Sequence, residues 1–136
     1  MSTQTLTIAG VCFQDATSRL LTVRKRGSHK FQLPGGKLDA GESPLAAALR
    51  EVAEEILVEL RSEDLTLLGS WSAPAANEAN TRINATVFVS GLIVAPVASA
   101  EIEELQWVDL ADNPQGSEHF APLLRTHVFG ALRARV

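Results

Sequence analysis

Short apolar blocks alternate with polar, turn-prone ones along the chain, and the spacing of the apolar positions changes from block to block. Residues 5–13 and 20–24 are rich in Thr, Ile, Val and Leu and flank Gln14-Asp15-Ala16-Thr17-Ser18, which predicts two strands joined by a short loop. A third extended piece, Phe31-Gln32-Leu33, runs into Pro34-Gly35-Gly36, a sharp interruption. From residue 44 to about residue 58 the spacing becomes helical, with Leu45, Leu49, Val52 and Ile56 on one stripe expected to be buried. Ser43 can cap the free amides of that helix, and Pro44 at its first position loses no hydrogen bond. Strand-like segments follow at 66–72, 83–94 and 105–108, separated by loops holding Pro74, Asn77, Asn80 and Pro96, and a second helix fits 117–134. This order predicts a mixed sheet with helices packed on its faces. With no internal repeat or linker, residues 1–136 read as one domain.

The apolar stripe of the first helix fixes where its polar residues point. With Leu45 at zero and about 100° per residue, Glu54, Glu51 and Glu55 fall at roughly 180°, 240° and 280°, a face turned away from the core. Ala47 and Ala48 fall on the same face one turn earlier, where they would leave room for a ligand. Like charges at the Glu51 and Glu55 spacing cost a few tenths of a kcal/mol in a bare helix, and a bound cation reverses that sign. A hard divalent ion such as Mg²⁺ suits converging carboxylate oxygens. Gly35 and Gly36, one loop earlier, let backbone groups approach a metal or phosphate, and Glu42 lies in the same loop. Arg50, four residues before Glu54, can pair with it and orient it.

Composition narrows the function classes. A net charge of -4 argues against a nucleic-acid polymer as partner, because that role needs a basic surface. Any polyphosphate partner must be met by a local basic patch or a metal. The lone cysteine, Cys12, sits in an apolar run as a small buried hydrophobe and can form no internal disulfide. No apolar run approaches the roughly 20 residues needed to span a bilayer. The N-terminus lacks a basic-then-apolar leader, so a cytoplasmic location with no membrane partner is expected.

The spacing from Gly36 to Val58 resembles the Nudix box: Gly, five residues, Glu, seven residues, Arg-Glu, an aliphatic residue, any residue, Glu-Glu, any residue, Gly, an aliphatic residue. Gly36, Glu42, Arg50, Glu51, Val52, Glu54, Glu55 and Val58 fall on their positions. Leu57 departs from it, standing where the pattern has glycine. The Leu33 to Lys37 lead-in and the stretch Glu104-Leu105-Gln106-Trp107-Val108 are also similar to Nudix hydrolases. The resemblance implies a Nudix-type α/β/α sandwich with a mixed β-sheet between helices. It implies Mg²⁺ as cofactor, with Mn²⁺ as a substitute, held by Glu51, Glu54, Glu55 and the Gly36 carbonyl. Arg50 becomes their orienting partner, and Glu42 supports the loop. The implied reaction is attack of a metal-activated water on a phosphorus of a nucleoside diphosphate-X substrate. Its general base comes either from the helix or from a later glutamate, with Glu101, Glu103 and Glu104 as candidates.

The basic run Arg24-Lys25-Arg26, followed by His29 and Lys30, is the chief local patch. Strand alternation sends Arg24 and Arg26 to one side and Lys25 to the other. Arg24 and Arg26, with Lys37 directly after the glycines, are taken to hold substrate phosphates. Phe31 reads as core rather than as a stacking platform, and His119 and His127 as structural. The short chain is similar to nucleoside triphosphatases that remove oxidised nucleotides such as 8-oxo-dGTP. Pro74, sixteen residues after Val58, has a spacing similar to ADP-ribose pyrophosphatases, so ADP-ribose and nucleotide sugars are the alternative. The chain has no Tyr, which removes a feature of dinucleoside polyphosphate hydrolases. A regulatory module that binds a nucleotide without cleaving it is a further alternative, and a homodimer remains open.

Overall fold

The computed structural model describes residues 3–135. Seven strands and two α-helices occur among them: β1 (Gln4–Cys12), β2 (Leu20–Lys25), β3 (Phe31–Gln32), β4 (Gly35–Lys37), α1 (Pro44–Ile56), β5 (Leu65–Pro74), β6 (Thr81–Ser90), β7 (Ile102–Val108) and α2 (Phe129–Ala134). One sheet has the order β4-β1-β6-β5 and the other β3-β2-β7. β1 and β6 run parallel, while β4 on β1 and β5 on β6 are antiparallel, so the sheet is mixed as expected.

Period-two alternation divides neighbouring residues between two cores. Ala9, Val11 and Phe13 from β1 and its end, with Leu21 and Val23 from β2, pack with Ala47, Ala48, Val52 and Ile56 of α1. Cys12 and Leu20 turn the other way, toward Leu124, Val128, Phe129 and Leu132. The strands therefore lie between helical layers, as the order of elements predicted and as the α/β/α sandwich implied by the resemblance requires. No helix among the described residues is long and apolar enough to cross a membrane.

Several boundaries differ from the sequence reading: Gly35–Lys37 forms a strand rather than an interruption, β6 ends at Ser90 rather than 94, β7 starts at Ile102 rather than 105, and both helices are shorter than expected. α1 stops at Ile56 because Leu57 takes a left-handed conformation, φ 55 and ψ 42. Carbonyls left free by that ending are taken up by the 91–100 segment, where Val97 N donates to Ile56 O and Ser99 N to Glu55 O, each at 2.9 Å. The last helix begins at residue 122 rather than 117, because Phe120 bridges to Phe31 and Ala121 N donates to Phe31 O at 2.8 Å. That extended pairing leaves Pro122, which has no amide to donate, as the natural first residue of the helix. A π-helical turn, Leu124–Val128, then leads into α2.

Candidate functional site

Two consecutive glycines set the site's geometry. Gly35 has φ +148, and a Cβ there would stand 2.1 Å from the Ala9 carbonyl oxygen, so only glycine lets β4 lie against β1. At Gly36 a Cβ would meet Glu51 Cδ at 2.6 Å. The missing side chain is thus the space in which the Glu51 carboxylate rests against the backbone. α1 starts one loop later, capped by Ser43, whose Oγ accepts from Ala46 N at 3.1 Å.

Arg50 ties the loop to the helix. Its Nε and one terminal nitrogen hold both Glu42 oxygens at 2.8 Å, and its other terminal nitrogen donates to Glu51 Oε1 at 2.8 Å. It also donates to the Lys37 carbonyl at 3.1 Å and lies 3.7 Å from Glu54 Oε2. The Arg50 side-chain bonds and the Asp39 amide hold the Glu42 carboxyl down at about 2, and the same bonds raise the pKa of Arg50. The Arg50 and Glu54 pair expected from spacing is present. The forked pair with Glu42 is the stronger geometry.

Glu55 is 1% exposed, contrary to the expectation that all three glutamates face outward. The reason lies with Ala47 and Ala48, both fully buried: their small side chains make room for the sheet rather than for a ligand. The helix is therefore rolled onto β1 and β4, and Leu45 and Leu49 end half-buried while Val52 and Ile56 are buried. Glu55 Oε1 accepts from Gly35 N at 2.9 Å. Oε2 is buried with no hydrogen-bond partner. Lys25 Nζ stands 3.6 Å from it and 3.3 Å from Glu101 Oε1. Burial pushes the Glu55 carboxyl up to about 7 against the opposing pull of the Gly35 amide and Lys25. Burial also acts to lower the Lys25 pKa, but Glu55 and Glu101 outweigh it and the net direction is up.

Of these groups, Lys25, Glu51, Glu101 and the two glycines border a cavity of about 390 Å³. Its polar lining includes Lys25, Lys37, Glu51, Glu101 and the Gly35-Gly36 backbone, and its apolar lining includes Leu6, Ile8, Leu33, Ile83, Leu123 and Leu124. Loop residues from Pro74 to Glu78 complete it. A charged region beside an apolar wall suits a ligand with a polyanionic part and a flat, weakly polar part.

The cavity separates the sequence candidates. Lys37 borders it, but Arg24 and Arg26 do not: Arg24 pairs with Glu104 at 3.2 Å and Arg26 with Glu103 at 3.5 Å. Alternation correctly put Lys25 opposite Arg24. It could not say which side of β2 faces the site, and that side is Lys25's, because Leu21 and Val23 of the same parity pack under α1. Of the three later glutamates only Glu101 borders the cavity, while Glu103 falls at a register shift between β2 and β7. Phe31 is core, 3% exposed, and stacks on His119. His127 stacks on Trp71, and Cys12 is buried with its thiol pushed up to about 12 by burial. Lys25 and the Leu123-Leu124 wall were missed. Lys25 carried a signal in its β2 parity, and the wall carried none.

Among the described residues, no group of three His, Cys, Asp or Glu side chains is gathered as a metal site. The convergence of Glu51, Glu54 and Glu55 expected from helical spacing is not present, because Arg50 draws Glu51 and Glu54 one way while Glu55 is buried toward Lys25. Two observations nevertheless fit a cation here. Glu55 Oε2 is a buried carboxylate oxygen with no hydrogen-bond partner, and the Gly36 backbone lies against Glu51. Asp39, Glu42, Glu51, Glu54, Glu55 and Glu101 also outnumber Lys25 and Arg50, their basic partners. Hard oxygen donors in excess of positive charge match Mg²⁺ or Mn²⁺.

A family model for the NUDIX domain matches residues 4–126. An RNA pyrophosphohydrolase of Tolumonas auensis is 36% identical over 61 residues, which is 45% of this chain and 34% of that protein. The aligned stretch thus spans about a third of the relative's length. The MutT protein of Methanosarcina mazei Go1 has a similar fold, with a TM-score of 0.78 at 21% identity over 99% of both chains. A bifunctional NMN adenylyltransferase/ADP ribose pyrophosphatase of Francisella tularensis, complexed with AMP and a Mn ion, matches 96% of this chain and 42% of its own at a TM-score of 0.69 and 17% identity.

Proposed function

This chain belongs to the Nudix family, and on that premise we propose that it is a divalent-metal-dependent pyrophosphohydrolase acting on a small nucleoside diphosphate-X substrate, an oxidised or ordinary nucleoside triphosphate being the first choice. The observation that carries the reading is the buried Glu55 oxygen without a hydrogen bond, on a carboxylate tied to Gly35, which with Gly36 and Glu51 borders a cavity lined by Lys25 and Lys37. A buried carboxylate oxygen without a hydrogen bond is costly, and it persists where a ligand supplies the missing partner.

In this reading Glu51, Glu55 and the Gly36 carbonyl hold the ion, with Glu54 joining from the exposed side of the helix. Bound there, Mg²⁺ or Mn²⁺ would supply charge neutralisation at the diphosphate and a more acidic water. Arg50 keeps Glu51 turned toward the glycines and locks the Glu42 loop, so Glu51 already lies beside the Gly36 backbone before substrate arrives. Lys37 offers an ammonium to the phosphates. Glu101, half-exposed at the cavity, is the best-placed later-loop carboxylate to accept the attacking water's proton. The apolar lining takes the base, and the 74–78 loop limits what can extend beyond it.

Two features favour a small nucleotide over the RNA substrate named for the Tolumonas protein. The chain is acidic, at -4, and the arginines of its main basic run are already paired to Glu104 and Glu103. ADP-ribose and nucleotide sugars remain the second reading, since Pro74 borders the cavity. Initial rates on nucleoside triphosphates, oxidised triphosphates, ADP-ribose, nucleotide sugars and 5′-triphosphorylated RNA, with Mg²⁺ and with EDTA, test the proposal. Metal-dependent cleavage fastest on a triphosphate supports it. No cleavage of any anhydride, with nucleotide binding retained, would make the chain a binding module instead.

A further inference from the structure

Lys25 belongs to no box motif, yet its ammonium lies between two of the site's carboxylates. It sits between Glu55 Oε2 at 3.6 Å and Glu101 Oε1 at 3.3 Å, on a side chain about a quarter exposed. The Glu55 separation is too long for a good hydrogen bond, so Oε2 has a countercharge but no directed partner. Glu55 cannot retreat, because Gly35 N pins its other oxygen. Glu101 is half-exposed and free to follow the ammonium. Lysine's compact charge rides on a flexible stem, so it can leave one carboxylate for another at little cost.

We propose that Lys25 is a tethered counter-ion that holds the place of the divalent cation at Glu55 and is displaced by it, moving with Glu101 into the cavity where the substrate's phosphates lie. This rests on the metal-dependent reading given above and deepens it. An ammonium and a divalent cation brought to one buried carboxylate oxygen repel each other as like charges, so the ion's approach drives the ammonium away. Displacement leaves Lys25 with one carboxylate and a cavity wall already lined by Lys37. The exchange keeps the site's charge nearly matched in both states: lysine neutralises Glu55 while the site is empty, and reaches the incoming anion once the metal has replaced it. Lys25 would thus be a positioning residue in the metal-free protein and a phosphate contact in the loaded one.

The test is Mg²⁺ binding by calorimetry at pH 9, without nucleotide, on the parent, Lys25→Met and Lys25→Arg, all checked for folding by thermal melts in EDTA. Removing a competing charge should tighten Mg²⁺ about threefold in Lys25→Met, the scale of one partly exposed ion pair. Lys25→Arg, which retains a competing charge, should bind no more tightly than the parent. In the parent, the Lys25 side-chain ¹⁵Nζ resonance should shift as Mg²⁺ saturates the site. Equal or weaker Mg²⁺ binding in Lys25→Met, or an Nζ resonance that Mg²⁺ leaves unmoved, overturns the exchange while leaving the hydrolase reading intact. A parent that binds no Mg²⁺ overturns both.

Discussion

Replacing Glu55 by Gln separates what this carboxylate does for the fold from what it does for a ligand. Gln keeps the side chain's size and an oxygen that can accept from Gly35 N, and removes only the charge. In the metal-free protein the Glu55 carboxyl is raised from 4.5 to about 7, chiefly by burial. A raised acid binds its proton more tightly in the folded state, so its contribution to stability is fully present below pH 4.5 and is lost as pH rises through about 7. Each pKa step is worth about 1.4 kcal/mol, so the interval amounts to roughly 3 kcal/mol lost by pH 8. The Gln variant does not titrate. Parent and variant should therefore have similar stability near pH 5, while at pH 8 in EDTA the variant should be the more stable by roughly 2 to 3 kcal/mol, a Tm higher by about 6 to 10 °C for a domain of this size. Thermal melts followed by circular dichroism across pH 5 to 8.5 read this directly. Mg²⁺ at about a thousand times Kd should reverse the order, because only the parent gains binding free energy, about 4.1 kcal/mol there. Its kcat should exceed the variant's at least about a hundredfold, the equivalent of about 2.7 kcal/mol in barrier height. A stability gap that is the same at pH 5 and pH 8 would show that ionising Glu55 carries no penalty, and the argument from its buried oxygen would fail.

The two glycines should behave differently under the same substitution. Gly35→Ala places its Cβ 2.1 Å from a backbone oxygen at φ +148 and should cost several kcal/mol, seen as loss of soluble folded protein. Gly36→Ala meets only the movable end of Glu51, so its unfolding free energy from urea melts should change by less than about 1 kcal/mol while Mg²⁺-dependent hydrolysis falls at least about tenfold; full activity would remove Gly36 and Glu51 from the site. Leu57→Gly relieves a left-handed leucine that is 57% exposed and should raise the unfolding free energy from urea melts, and with it the midpoint, by about 0.5 kcal/mol of stability, net of the flexibility gained in the unfolded chain. A lowered midpoint would mean that contacts of the leucine outweigh its backbone strain.

Local rules were enough to read the elements. Alternation in residues 5–13 and 20–24, the Ser43-Pro44 start and the helical spacing of Val52 and Ile56 all act over a few residues, and they gave the strands, α1 and the mixed sheet between helices. The spacing from Gly36 to Glu55 also pointed to the family, because Arg50, Glu51, Glu42 and the glycines meet within one loop and one helix. What sequence spacing could not supply was the roll of α1 about its own axis. An angular diagram gives the order of residues around a helix but not which of two adjoining faces, the leucine stripe or the alanine side, the sheet will claim. Packing chose a face that includes Ala47 and Ala48, and that choice buried Glu55. The same holds for Lys25. Its parity on β2 was legible, but the side that faces the site depends on α1 lying over Leu21 and Val23 and on Glu101 arriving from a loop more than seventy residues away. Such long-range contacts are fixed by how the layers close on one another, a property of the folded molecule that no local stretch of the chain contains.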